Sequence, residues 1–224
     1  MLIGGFQKFS LTDYPGKSCA IVFTQGCNFR CPYCHNPELV EPASYETPIP
    51  ENYVLDFLKR RKTMLEGVTV TGGEPLLQKD LRFFLKNIKE MGYTVKLDTN
   101  GSFPEQLKKI IEEGLADYIA MDIKAPLEKY ASVTRVNVNM KDIQKSIDII
   151  IHSNLNYHFR TTVLKSLLDF NDLKLIYELI KKTNNYILQK FEFSGKILDN
   201  SLLGKVEYEE KEIQKFQNAI TVPA

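Results

Sequence analysis

Histidine and cysteine are scarce in this 224-residue chain, with three of the first and four of the second, so few soft or imidazole donors are available for a metal site. Neither charge is in excess: 29 Lys and Arg stand against 28 Asp and Glu, which excludes the broad basic field of a nucleic-acid binder. No run reaches the roughly 18 apolar residues of a membrane-spanning helix. The opening residues, MLIGGFQKFSLTDYPGK, lack the charged start, apolar stretch and small-residue cleavage site of a signal peptide. No membrane attachment is expected, and the cytoplasm is the expected compartment. Thiols stay reduced there, so clustered cysteines read as metal or redox groups rather than as disulfides. Internal repeats, low-complexity tracts and linkers are missing too. With 43% hydrophobic residues, 1–224 is expected to fold as a single domain, its core over about 15–195 and a C-terminal extension over 196–224.

What is present is a rhythm. Residues 19–24, 68–71, 93–97, 117–122, 157–163 and 186–193 have strand length and are rich in β-branched and aromatic residues. Between them Val54, Phe57 and Leu58, then Leu81, Phe84, Leu85 and Ile88, recur at helical spacing, the second set closed by Gly92. Ser102 and Glu105 predict a capping box for a helix carrying Leu107, Ile110 and Ile111, ended by Gly114. Met140, Ile143, Ile147 and Ile150, and Leu173, Ile176 and Ile180, predict two more. About six βα units build a parallel sheet by right-handed crossovers, and an α/β partial (β/α)6 barrel fits better than the closed barrel of about eight units. An open doubly wound sheet is the alternative. Either way, the functional edge lies at the carboxyl ends of the strands.

Three of the four cysteines, Cys27, Cys31 and Cys34, fall within eight residues in CNFRCPYC, at C-x3-C-x2-C spacing. Structural zinc takes two separated ligand pairs and catalytic zinc commonly takes histidine, and neither pattern is present. Iron-sulfur clusters normally use four cysteines, so three leave one iron open to a non-protein ligand. Such an opening has a use in substrate chemistry and none in plain electron carriage.

CNFRCPYC resembles the cysteine signature of the radical S-adenosylmethionine superfamily, and VTVTGGEP resembles its Gly-Gly-Glu turn, here Gly72, Gly73 and Glu74. The likeness runs over roughly residues 1–195. More narrowly, DYPGKSCAIVFTQGCNFRCPYCHNP, LDTNG and MDIK are similar to the activating proteins of glycyl-radical enzymes, chiefly of anaerobic ribonucleoside-triphosphate reductase. The resemblance implies a 4Fe-4S cluster on Cys27, Cys31 and Cys34, with S-adenosylmethionine on the remaining iron. It implies an oxidoreductase that makes a 5′-deoxyadenosyl radical and takes a hydrogen atom from a glycine of the partner enzyme, with flavodoxin or ferredoxin as electron donor. It also implies Tyr33 against adenine, Gly72 and Gly73 close to the ligand, and Glu74 on the methionine ammonium.

Asp98 and Asp122 end two strands and are expected to face the same mouth as the methionine carboxylate, where like charges repel. Lys124, on the face of Asp122, offsets one charge. For the rest two readings stay open: Asp98, Thr99 and Asp122 hold a monovalent cation, as the resemblance implies, or Asp98 bonds ribose and Asp122 pairs only with Lys124. Asn100 is a further candidate for cofactor binding, and Arg160 for ribose or carboxylate. Gln189 is expected near the barrel mouth, Cys19 in a buried strand, His152 and His158 at the surface, and the last helix in solvent. Two other functions fit the motifs less fully. One is a radical enzyme acting on a small molecule, of the deazapurine-precursor synthase type; the other is a metal-binding sensor without catalysis.

Overall fold

The computed structural model describes every residue except Ser194, Leu203, Val206 and 222–224, and the side chain of Thr221. Seven strands form one sheet in sequence order. Six are parallel: β2 (Cys19–Thr24), β3 (Gly67–Gly72), β4 (Thr94–Thr99), β5 (Tyr118–Asp122), β6 (Asn156–Val163) and β7 (Tyr186–Lys190). β1 (Ile3–Ser10) pairs antiparallel with β2 and is a strand the sequence pattern does not announce, because IGGFQKFS carries two glycines and no regular alternation. The strand order is linear from β1 to β7, so the sheet is an open partial barrel. No helix among the described residues is long and apolar enough to cross a membrane.

The helices are α1 (Pro37–Val40), α2 (Glu51–Arg61), α3 (Leu81–Glu90), α4 (Pro104–Glu112), α5 (Tyr130–Thr134), α6 (Met140–Ile151), α7 (Phe170–Leu179) and α8 (Glu210–Thr221). In α3 the stripe Leu81, Phe84, Leu85 and Ile88 is buried, and Gly92, at φ +84°, turns the chain back toward β4. Such stripes pack on the convex face of the sheet, where Val68, Val70, Val95, Leu97, Ile119 and Phe159 belong to one continuous core. The concave face differs. A small apolar base of Tyr14, Cys19 and Ile21, with Phe23 and Tyr118 against it, gives way to charged side chains toward the carboxyl ends of the strands.

Three expectations are corrected. The capping box at Ser102 and Glu105 does not form: Phe103 is the N-cap residue of α4, Ser102 Oγ is engaged by Asn28 and Asn100, and Glu105 pairs with Lys145. The last strand stops at Lys190, because Phe191 turns inward to stack on His35 with ring centroids 5.1 Å apart. The last helix is not a solvated appendage: α8 buries Ile213 and stacks Phe216 on Phe170 at 4.9 Å. Gln217 Oε1 accepts from Leu188 N–H at 2.7 Å while its Nε2 donates to the Tyr186 carbonyl at 2.9 Å, so one side chain stands in for the next strand at the β7 edge.

Candidate active site

The three cysteines leave β2 on a loop that lines a cavity of about 210 Å³ at the carboxyl ends of the strands. Backbone bonds hold that loop from several sides: Gly26 N–H to Leu39 O at 2.7 Å, Arg30 N–H to Thr134 O at 2.9 Å, and Leu198 N–H to Cys34 O at 3.0 Å. All four cysteines are free thiols. Burial pushes the Cys27 thiol up to about 12, that of Cys31 to about 11, and that of Cys34 in the same direction, while Lys124 pulls each the other way. Any metal they bind must therefore displace their protons. No three histidine, cysteine or carboxylate groups among the described residues converge on one point fit for a single ion. A cluster makes no such demand, since each cysteine binds a different iron, and the donor set of three neighbouring thiols fits it.

Gly72 and Gly73 line the same cavity, but their lack of a side chain serves the protein itself. A Cβ on Gly73 would lie 2.1 Å from the Gly26 carbonyl oxygen, and one on Gly72, where φ is +116°, would lie 2.2 Å from the Thr24 nitrogen. The turn is pressed against the start of the cysteine loop, a need for glycine that the sequence alone did not show, and it still borders the cavity. Glu74, fully buried, accepts from Leu76 N–H at 3.0 Å, Thr99 Oγ1 at 2.8 Å and Asn100 N–H at 2.7 Å. Those donors lower its carboxyl, yet burial outweighs them and lifts it to about 7. A carboxylate has about four acceptor positions, so one is left over.

Asp98 and Asp122 do face one another across β4 to β6, and cations the sequence pattern did not pair with them fill the space between. Lys96 bonds Asp98, Arg160 Nη2 reaches Asp98 at 3.2 Å, and Arg160 Nε reaches Asp122 at 2.6 Å. Lys124 Nζ lies 3.2 Å from Asp122, as its position on the same face predicts. Burial alone would raise both carboxyls; Arg160 with Lys96 outweighs it at Asp98, and Arg160 with Lys124 at Asp122, holding both below the usual carboxylate range. Burial lowers Lys124, and the charge of Asp122 more than restores it. Three cations against two anions leave one positive charge over.

Other candidates are placed as follows. Tyr33 borders the cavity but is buried, and its hydroxyl has no hydrogen-bond partner. Asn100 is committed to the protein, donating to Asn28 Oδ1 at 2.9 Å and accepting from Ser102 N–H at 3.0 Å. Gln189 lines the cavity as expected, and Cys19 is buried with Thr69 Oγ1 at 3.7 Å from its sulfur. His152 is exposed. His158 is not: it faces the barrel interior with Nδ1 2.9 Å from the Tyr118 hydroxyl, and burial lowers it to about 4. Lys96 went unread although it shares a strand face with Asp98, the same two-residue spacing that linked Lys124 to Asp122. The cavity wall thus offers a carboxylate at Glu74 and an ammonium at Lys124, the complement of an amino-acid zwitterion.

A sequence model of the radical SAM superfamily matches residues 21–180. The chain belongs to the radical SAM superfamily. A Methanocaldococcus jannaschii protein provisionally named a glycyl-radical enzyme activating enzyme is 34% identical over 197 residues, 85% of this chain and 80% of that one. A pyruvate formate-lyase-activating enzyme of Staphylococcus aureus is 39% identical over 128 residues, 53% of this chain and 51% of that one. A 7-carboxy-7-deazaguanine synthase of Aquifex aeolicus is 28% identical over 141 residues, 59% and 61% of the two chains. The chain therefore spans about half to three fifths of the latter two relatives. Among solved structures, TYW1 with a lysine-pyruvate adduct superposes with a TM-score of 0.65 over 90% of this chain and 72% of that one, at 17% identity, which speaks to the fold. As a radical SAM protein of the glycyl-radical-enzyme activating family, the chain is an enzyme whose family uses a 4Fe-4S cluster and S-adenosylmethionine.

Proposed function

We propose that this enzyme activates anaerobic ribonucleoside-triphosphate reductase by generating a glycyl radical on it. The membership above supports the activating chemistry; the choice of partner rests on the DYPGK, LDTNG and MDIK segments. In this reading Cys27, Cys31 and Cys34 hold the cluster. When bound, the cluster would supply the low-potential electron for reductive cleavage of S-adenosylmethionine, the chemistry by which this family draws a hydrogen atom from a glycine. The protein binds and orients. Glu74 uses its spare acceptor position on the methionine ammonium, and Lys124 meets the carboxylate. Tyr33, which borders the cavity, is the side chain that would meet adenine. Asp98, held ionised, accepts from a ribose hydroxyl. Asn100 and Arg160 act one layer back, Asn100 on the cysteine loop through Asn28 and Arg160 on the two aspartates.

The observation that carries this reading is the presence of the Glu74 carboxylate and the Lys124 ammonium on one cavity wall beside three free thiols. A monovalent cation on Asp98, Thr99 and Asp122 is not needed for charge balance, since Arg160 and Lys96 already occupy those carboxylates. The electron donor in this scheme is a flavodoxin or ferredoxin, and the compartment is the cytoplasm, in keeping with four free cysteines. Residues 1–224 act as one domain in this scheme, since one core runs from Ile3 to Ile220.

Anaerobic reconstitution tests the proposal. About four iron per chain should bind, be lost in Cys27→Ala, Cys31→Ala and Cys34→Ala, and be kept in Cys19→Ala. Cleavage should run alike in sodium, potassium and a bulky organic cation; dependence on one metal ion restores the cation site at Asp122. A 5′-deoxyadenosine yield that needs a small purine precursor and no protein substrate would instead assign the enzyme to the deazaguanine type.

A further inference from the structure

We propose that Arg30 is a positioning residue that presets the three-cysteine loop for its cluster, an inference that rests on the cluster reading above. Arg30 sits inside CNFRCPYC, directly before Cys31, and the motif assigns it nothing. Its side chain turns back onto its own loop. Nη1 donates to the carbonyl oxygens of Cys27 and Phe29, both at 2.8 Å, and Nε pairs with Glu41 at 2.9 Å. Glu41 directly follows α1, so the guanidinium ties the entry of the loop to its exit, while the Arg30 backbone is fixed to Thr134 on α5.

Two carbonyls gathered on one nitrogen must point to one side of the turn. That orientation leaves the side chains of Cys27 and Phe29 on the cavity, which both line. A planar guanidinium holds several acceptors at fixed angles, which an ammonium does not. Without this staple the loop must be ordered when the cluster binds, at a cost in backbone entropy for each residue fixed.

The variants Arg30→Gln, Arg30→Lys and Glu41→Gln, prepared beside the parent, test this in the full chain. In the apo proteins, amide exchange across residues 27–34 should rise in Arg30→Gln while the melting temperature stays near that of the parent. In the loaded proteins, a chelator should strip iron about tenfold faster from Arg30→Gln, the size of effect typical of groups that orient ligands. Arg30→Lys should fall between the two. Glu41→Gln should raise exchange and stripping in the same direction by less. A lowered melting temperature in Arg30→Gln with parental exchange across residues 27–34 marks a merely structural pair and overturns the proposal, as do parental exchange and stripping rates together. If Arg30→Gln does not fold, Arg30→Lys and Glu41→Gln decide by the same signs. A parent that takes up no iron on its cysteines defeats the cluster reading instead, and the apo exchange alone then judges the staple.

Discussion

Glu74 joins two demands in one side chain: it ties the Gly-Gly-Glu turn to the end of β4 through Thr99 and Asn100, and it borders the cavity with one acceptor position unused by the protein. Glu74→Gln puts an amide N–H₂ against N–H or O–H donors that have no other acceptor. A loss of about 1–3 kcal/mol is expected in urea denaturation of the apo protein, together with a raised KM for S-adenosylmethionine at unchanged iron content. An unchanged KM would move the ammonium contact elsewhere. His158 gives a pH signature. Its imidazole is lowered to about 4 in the fold against about 6.5 unfolded, so the unfolded chain binds the extra proton and stability falls as pH drops through that window. Relative to His158→Gln, the apo parent should lose about 2 kcal/mol between pH 7.5 and pH 5; parallel denaturation midpoints in both proteins at both pH values would contradict this. The cysteines, glycines and Glu74 were legible because their identity and spacing belong to two short motifs. The clasp of Arg160 on Asp98 and Asp122 was not, since it depends on the register that sets Asp122 opposite Arg160 across β5 and β6.

At the scale of elements, periodicity located β2 to β6 and most helices within a residue or two, because the central strands are largely buried and each helix buries one stripe, whereas β7, with one face exposed, was drawn three residues too long. β1 escaped since it is an edge strand held by pairing with β2 rather than by a hydrophobic pattern. α8 was seen as a helix, but its docking was invisible: its anchor, Gln217, is a polar residue whose amide happens to match the spacing of an edge strand. Gln217→Ala should uncover Leu188 N–H and Tyr186 C=O, cost about 1 kcal/mol in chemical denaturation, and speed amide exchange at Leu188. Unaltered exchange there would mean that α8 covers the edge without this side chain.

On the scale of the whole molecule, the open sheet suits the proposed transfer of radical chemistry to another protein. The convex face is sealed by helices, the concave face is filled at its base by Tyr14, Cys19 and Ile21, and the charged upper layer faces a cavity that reaches the carboxyl end of β7, where Gln189 stands exposed. A lateral mouth admits a loop of a folded partner more readily than it encloses a small molecule. The most direct measurement combines the reconstituted enzyme, a low-potential reductant and S-adenosylmethionine with anaerobic ribonucleoside-triphosphate reductase, and reads electron paramagnetic resonance beside the 5′-deoxyadenosine yield. The account predicts a glycyl-radical signal on the reductase with one 5′-deoxyadenosine per radical, absent with Cys31→Ala. Cleavage of S-adenosylmethionine with no radical on the reductase would contradict it.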